Sequence, residues 1–420
     1  MSEASREQVS LGSFRPYRPR SIKLLNRLGE IGRSIGLNTA INVSKLLDGA
    51  RSKTGLNDFD GEYAIEALKV LVGSINEEAR LTPIGRLIQS RRLLNALIAR
   101  SKIRDFLSKN QLGSDCRLNQ VLLITGLQRT GTTLLQRLIA SHSQFRGITA
   151  AAAFDPVAAA TDRAKDTRAA NRQAQLYENA LSYLAPDFRK IHPVEMSAPE
   201  EDVLLLDLNF MSQAPEAMMR VPSYSSWLEQ QDHGPAYAHF RTTLEILQAS
   251  DPQKHWVLKS PHHLEYLDVV LEQFPDATII QTHRDPRRTI PSFCSMVAHS
   301  FGIFSDHIDT NEIAAHWVRK VKRMLQKSRD VRASNPDRFY DISYYDLTER
   351  PLDVLAGLWK RMGMEFGDAE RKSAAQCLDE NPKDRFGRHE YLLSDFKLDV
   401  CAIDREFEPY RTAFDIPVES

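Results

Sequence analysis

The chain lacks most of the features that would classify it at a glance. Its four cysteines, Cys116, Cys294, Cys377 and Cys401, fall without metal-ligand or redox spacing. Neither a zinc scaffold nor a disulfide framework is readable, and a reduced compartment suits them best. No apolar run approaches the ~20 residues of a membrane-spanning helix. Residues Met1 to Pro19 are polar and Arg-bearing, without the apolar core of a signal peptide. The expectation is a soluble cytoplasmic protein. Net charge is missing as well: 55 basic residues balance 55 acidic ones. That removes support for a broad nucleic-acid surface, so no nucleic-acid partner is expected. There is no internal repeat, and no low-complexity segment beyond a short alanine run. What remains, 420 residues with 42% hydrophobic and 26% charged, is enough for one large or two modest globular domains.

The most informative absence is a single lysine. Val121-Leu122-Leu123-Ile124 reads as a short buried strand, Gly126 opens a loop of small residues, and Leu134-Leu135-Gln136-Arg137-Leu138-Ile139 has helical apolar spacing. Strand, glycine loop and helix together aim backbone N–H groups and a helix N-terminus at an anion. Gly126 and Gly131 have the separation of a nucleotide-phosphate loop, but Thr132 stands where the lysine belongs, and Arg129 lies inside the loop. A kinase or ATPase of this architecture places the lysine on the β/γ-phosphates and an acidic strand end on Mg²⁺. Here no strand ends plainly in such an Asp; one ends His283-Arg284-Asp285, cation first. No metal site is expected. The alternative for Gly126–Thr133 is a plain strand-to-helix turn.

Two further strands carry chemistry at their ends. His255–Lys259 runs into Ser260-Pro261-His262-His263, and Ala277–Thr282 runs into His283-Arg284-Asp285-Pro286; a helical stretch follows each. Phe339–Tyr344 is a last strand. Alternating strands and helices predict an α/β fold, a P-loop-like parallel sheet flanked by helices, with ligands at the carboxyl ends of the strands. Ile22 to Lys109 has helical periodicity, with Ile22, Leu24, Leu25, Leu28 and Ile31 on one amphipathic face and Ile65, Leu68, Val70, Leu71 and Ile75 on another. The basic residues around Arg15–Arg33 read as a solvated helix face, in preference to contact with an anionic membrane. The division expected is a helical N-terminal extension, 1–115, and an α/β domain, 116–420. Pro199 followed by Glu200-Glu201-Asp202 reads as a helix start, with acids near the positive end of the helix dipole.

On these residues the sequence resembles the sulfotransferases that use 3′-phosphoadenosine 5′-phosphosulfate (PAPS), and is most similar to their bacterial branch. Arg129-Thr130-Gly131-Thr132-Thr133 is similar to the family's 5′-phosphosulfate loop. The resemblance implies that Arg129 binds the 5′-phosphate side and stabilises the leaving group, with Thr130, Gly131, Thr132 and Thr133 supplying hydroxyls and amides. Arg284 followed eight positions later by Ser292, with Pro286 between, resembles the 3′-phosphate clamp. Lys259-Ser260-Pro261-His262 resembles, with one residue inserted, the segment bearing the family's catalytic histidine. It implies His262 as general base, with Lys259 near the sulfuryl oxygens. An imidazole titrating near pH 6.5 suits that role. Arg388, with Lys383 and Arg385, stands where a basic stretch would complete the 3′-phosphate site.

One departure matters. Tyrosylprotein sulfotransferases carry a catalytic Glu beyond the loop, whereas this chain reads Ile148-Thr149-Ala150-Ala151-Ala152-Ala153-Phe154-Asp155. The base therefore stays open between His262, Glu200 and Glu201, with His263 a competitor of His262. Trp256 and the tyrosines read as core or adenine-site lining. The implied activity is in-line, metal-independent transfer of a sulfuryl group from PAPS to the hydroxyl of a small acceptor, which the apolar preface hints is lipid-like. The competing readings are a triphosphate kinase or ATPase and a non-catalytic nucleotide binder.

Overall fold

The computed structural model describes residues 16–36, 39–113, 116–161, 164–186, 195, 198–382 and 393–419. Among them five parallel strands form one sheet: β1 (Val121–Gly126), β2 (Phe145–Arg146), β3 (His255–Lys259), β4 (Thr278–His283) and β5 (Phe339–Ser343), in the order β2-β3-β1-β4-β5. β1 lies at the centre, and all six of its residues are buried. That is why it reads as an unbroken apolar run rather than an alternating one. Its side chains still alternate between faces. Leu122 and Ile124 join Leu135, Leu138, Ile280, Ile342 and Trp359 on one face, while Val121 and Leu123 join the larger core on the other. β2 went unread in the sequence because two residues show no period.

Among the described residues four helices precede the sheet: α1 (Arg20–Ser34), α2 (Val43–Thr54), α3 (Glu62–Glu77) and α4 (Pro83–Lys109). Leu46, Leu68, Leu71, Ile75, Leu93 and Leu97 from this region belong to the same apolar core as Leu123 and Leu258 of the sheet. The helices thus pack as one body with the sheet. α1 departs from the sequence expectation. Its inward side is Ile22, Asn26 and Gly29; Asn26 accepts a hydrogen bond from the Ile84 amide. Leu24, Leu25, Leu28 and Ile31 point outward instead. A Cβ on Gly29 would stand 2.4 Å from the Pro83 Cβ, so the small residue lets α1 approach α4 on its polar side.

α5 (Thr132–Ala140) follows the loop after β1. Gly126 has φ 144°, and a Cβ there would meet the Thr282 Oγ1 at 2.4 Å and its carbonyl oxygen at 2.6 Å. β1 and β4 close up at the site only because position 126 has no side chain. Gly126→Ala is expected to destabilise the fold by about 2–3 kcal/mol, read as a lower denaturant midpoint at unchanged slope.

Candidate active site

Parallel strands of one sheet all end on one side, so the segments following β1, β3 and β4 meet there. The first contributes the loop Leu127–Gly131 and the N-terminus of α5. Gly131 is left-handed at the N-cap, φ 84°, and no side chain among the described residues caps the helix. The first-turn amides of α5 therefore keep their affinity for an anion. Arg129 is also left-handed, φ 70°, which is costly for a residue with a Cβ and holds it at the loop apex. The Thr130 hydroxyl is fully buried and committed, donating to the Leu127 carbonyl at 2.6 Å and lying 2.6 Å from the Thr282 hydroxyl. Thr130 thus fixes the loop to β4, and only its backbone is left for a ligand. Thr133 is exposed at the start of α5, whereas Thr132 is buried.

The end of β4 supplies Arg284, and Ser292 lies in the second turn of the Pro286–Phe304 helix. These residues meet the loop directly. The Arg129 Nε donates to the Ser292 Oγ at 3.2 Å, and the Arg284 guanidinium donates to the Arg129 carbonyl at 3.0 Å. The Tyr344 ring lies 3.9 Å from the Arg284 guanidinium carbon, a cation–π contact that holds it flat. Arg284 also makes a bidentate pair with Glu419, at 2.8 and 3.0 Å. Glu419 accepts from the Tyr345 hydroxyl at 2.9 Å and faces Arg288 at 3.7 Å. Burial pushes the Glu419 carboxyl upward, but its hydrogen bonds and the Arg284 charge outweigh this and hold it below the usual carboxylate range. A carboxylate thus sits on the arginine expected to hold a phosphate. Asp285 caps the following helix through the Arg287 amide and accepts the Glu419 amide at 2.8 Å. Arg388, Lys383 and Arg385 lie outside the described residues.

The end of β3 supplies Lys259 and the histidines that follow it, and the acids of residues 200–202 pack against them. Lys259 is almost wholly buried, 2.9 Å from Glu201 and 3.4 Å from the Thr133 hydroxyl, so its ammonium links the acidic segment to the start of α5. Glu200 is half-buried beside it, held by its amide on the Ile148 carbonyl and by Gln136 of α5 on its own carbonyl. Desolvation raises the Glu200 carboxyl to about 7 despite the opposing pull of Lys259, and Glu201 adds repulsion. Glu201 and Asp202 do not cap the short Val203–Asp207 helix that follows. Glu201 pairs with Lys259, and Asp202 lies 2.7 Å from the His263 Nε2. His263 is sealed, its other nitrogen 2.8 Å from the Tyr237 hydroxyl.

His262 is also wholly buried. Its ring packs against Tyr266 at 4.8 Å and Tyr237 at 6.3 Å, and neither nitrogen has a hydrogen-bond partner among the described residues. Burial pushes its basicity well below that of an ordinary imidazole. A sealed, weakly basic ring is a poor acceptor for a substrate proton. Trp256 is core: fully buried, its indole N–H donates to Gln248 at 2.6 Å.

The profile of the sulfotransferase family matches residues 122–368, from β1 past β5. The chain belongs to the sulfotransferase family. Sulfotransferase STF1 of Mycobacterium tuberculosis superposes with a TM-score of 0.77 at 28% identity, covering 89% of this chain and 100% of that one. Sulfotransferase STF9 of Mycobacterium avium superposes at 0.78 with 23% identity, covering 90% and 98%. An omega-hydroxy-beta-dihydromenaquinone-9 sulfotransferase of Mycobacterium tuberculosis is 25% identical over 264 residues, which span 59% of this chain and 63% of that protein. The match thus leaves over a third of that relative uncovered. The residues that sequence reading missed, Tyr344 and Glu419, lie outside the family motifs. Nothing local to either marks it as a neighbour of Arg284.

Proposed function

We propose that this sulfotransferase-family chain transfers a sulfuryl group from PAPS to the hydroxyl of a lipid-like acceptor. The observation that carries the reading is the junction of Arg129, Ser292 and Arg284. Two cationic positions on separate strand ends suit a nucleoside bearing separate 5′ and 3′ anions better than one contiguous triphosphate. The α5 amides and Arg129 meet the 5′ side, and Arg284 with Ser292 meets the 3′-phosphate. The acceptor O–H gives its proton to Glu200, which takes the role the sequence offered first to His262. The acceptor oxygen forms a bond to sulfur as the bond from sulfur to the bridging oxygen breaks. Adenosine 3′,5′-bisphosphate leaves with the electron pair, its charge met by Arg129 and backbone amides. Lys259, bridging Glu201 and Thr133, is placed to favour the anionic sulfuryl oxygens. The acceptor class draws on the menaquinone derivative in the relative's name.

Calorimetry with adenosine 3′,5′-bisphosphate against ATP-Mg²⁺ tests the donor. Binding of the bisphosphate without Mg²⁺ is expected, and tight ATP binding with no response to the bisphosphate would sink the reading in favour of a kinase or ATPase. The same titration checks Glu419. Because its carboxylate competes for Arg284, Glu419→Gln is expected to tighten bisphosphate binding by about 3–10-fold at neutral pH. The carboxylate is held ionised, so the effect fades as pH falls below the ordinary glutamate range. Unchanged binding would mean that Glu419 does not compete for Arg284, and weaker binding that it is part of the nucleotide site.

A further inference from the structure

We infer that α1 is a docking helix for the surface of an anionic lipid bilayer. Leu24, Leu28, Ile31 and Ile35 recur at intervals of four, three and four, which aligns them on one stripe of the helix and its C-cap. In an ordinary surface helix such a stripe faces the core. Here it faces out: Leu24 is 59% exposed, Leu28 55%, Ile31 58% and Ile35 74%. The inward side is secured by polar and small residues, Asn26 on the Ile84 amide and Gly29 against Pro83, so the outward stripe is built into the packing. The stripe continues sideways. Ser21 of α1 lies 2.6 Å from the Tyr183 hydroxyl of the Ala164–Leu184 helix, whose Leu176 and Tyr183 are themselves 63% and 53% exposed.

Charge decides what covers this face. α1 carries Arg20, Lys23, Arg27 and Arg33 against one acid, Glu30. On a helical wheel Arg20, Lys23 and Arg27 flank the apolar stripe along one edge, all three are exposed, and none forms an ion pair among the described residues. An apolar strip edged by cations is the pattern of helices that lie in the plane of a lipid interface, with leucines among the acyl chains and cations at the headgroups. A second copy docked antiparallel on the stripe would bring the like-charged edges together, which the bilayer does not. No helix among the described residues is long and apolar enough to cross a membrane, so α1 would lie on the surface. The inference does not rest on the proposed chemistry, although a lipid-like acceptor would be met at the same surface.

The test is co-flotation of the full chain with phosphatidylcholine vesicles, with and without phosphatidylglycerol. The chain is expected to float with the anionic vesicles and to be released by salt. Leu28→Glu should weaken partitioning about tenfold or more, and Arg27→Glu and Lys23→Glu roughly fivefold each or more. All three positions are exposed, so an unchanged denaturant midpoint separates lost docking from lost fold. Equal flotation of wild type and Leu28→Glu would overturn the inference. So would absence of flotation together with a dimer, seen by light scattering, that Leu28→Glu dissolves; that outcome would assign the stripe to a second copy. Bisphosphate binding is measured on the same variants and should not change, so failure here stays distinct from failure of the donor reading.

Discussion

Arg129→Ala is expected to lower kcat by about 10²–10³-fold, the scale of losing one preorganised donor from charge developing in a transition state. KM for the donor should rise less, because the α5 amides, Arg284 and Ser292 still hold the nucleotide. If the loss fell in KM alone, Arg129 would contribute uniform binding and the leaving-group role would be wrong. The backbone gives a control. Arg129 sits at φ 70°, which an alanine endures no better than an arginine but a glycine adopts without strain. Arg129→Gly should therefore match the activity loss of Arg129→Ala while unfolding at a denaturant midpoint equal to or above that of the wild type, a gain of about 1 kcal/mol. Activity falling while stability holds or rises would mark a loop strained for function. Arg129→Lys keeps the charge but loses the planar fork, and recovery should be partial.

How much of this was legible depends on whether the signal was local. β1, its loop and α5 are contiguous, so their order could be read from period and glycine spacing. β3 and β4 each ran into a Pro-bearing segment with titratable residues, and β5 was legible as a last strand. The sheet order β2-β3-β1-β4-β5 could not be read, because pairing is long-range and β2 is two residues long. At the site, Arg129 and Arg284 were visible as residue types at strand ends, and Ser292 entered only through the family resemblance. Glu419 reaches Arg284 across 135 positions, and no periodicity carries such a contact. α1 shows a subtler limit. Its helical period was legible, but the face read from it was split, Ile22 turning inward and Leu24, Leu25, Leu28 and Ile31 outward; Asn26 and Gly29 decided that through contacts with α4. The acids after Pro199 looked like helix-start chemistry because Asp and Glu favour that position, yet Lys259 and His263 claim two of them. Propensity lost to charge pairing that only the fold could create.

The same distinction governs the general base, and it yields the sharpest pH test. An imidazole is the default base at neutral pH in solution, which made His262 attractive. Burial among Tyr266, Tyr237 and His233 reverses that, pushing its basicity well down. Burial acts on Glu200 in the opposite sense, because the penalised form of a carboxyl is the anion; its pKa climbs to about 7. One physical effect thus disfavours the histidine and favours the glutamate as the proposed base. If Glu200 takes the acceptor proton, kcat/KM is low below pH 7, rises through it as the carboxyl ionises, and levels above. Glu200→Gln should remove that limb and lower kcat by about 10²–10⁴-fold, with bisphosphate binding intact. His262→Phe keeps the aromatic packing and should retain the limb. Stability should run the other way. The folded chain holds the Glu200 proton up to about pH 7, whereas the unfolded chain releases it near 4.5. The stabilising contribution is therefore complete below 4.5 and is lost as pH rises to 7. Chemical denaturation across that window should show wild type losing stability relative to Glu200→Gln as the base becomes competent. A rate limb that follows His262→Phe instead would return the role to the histidine.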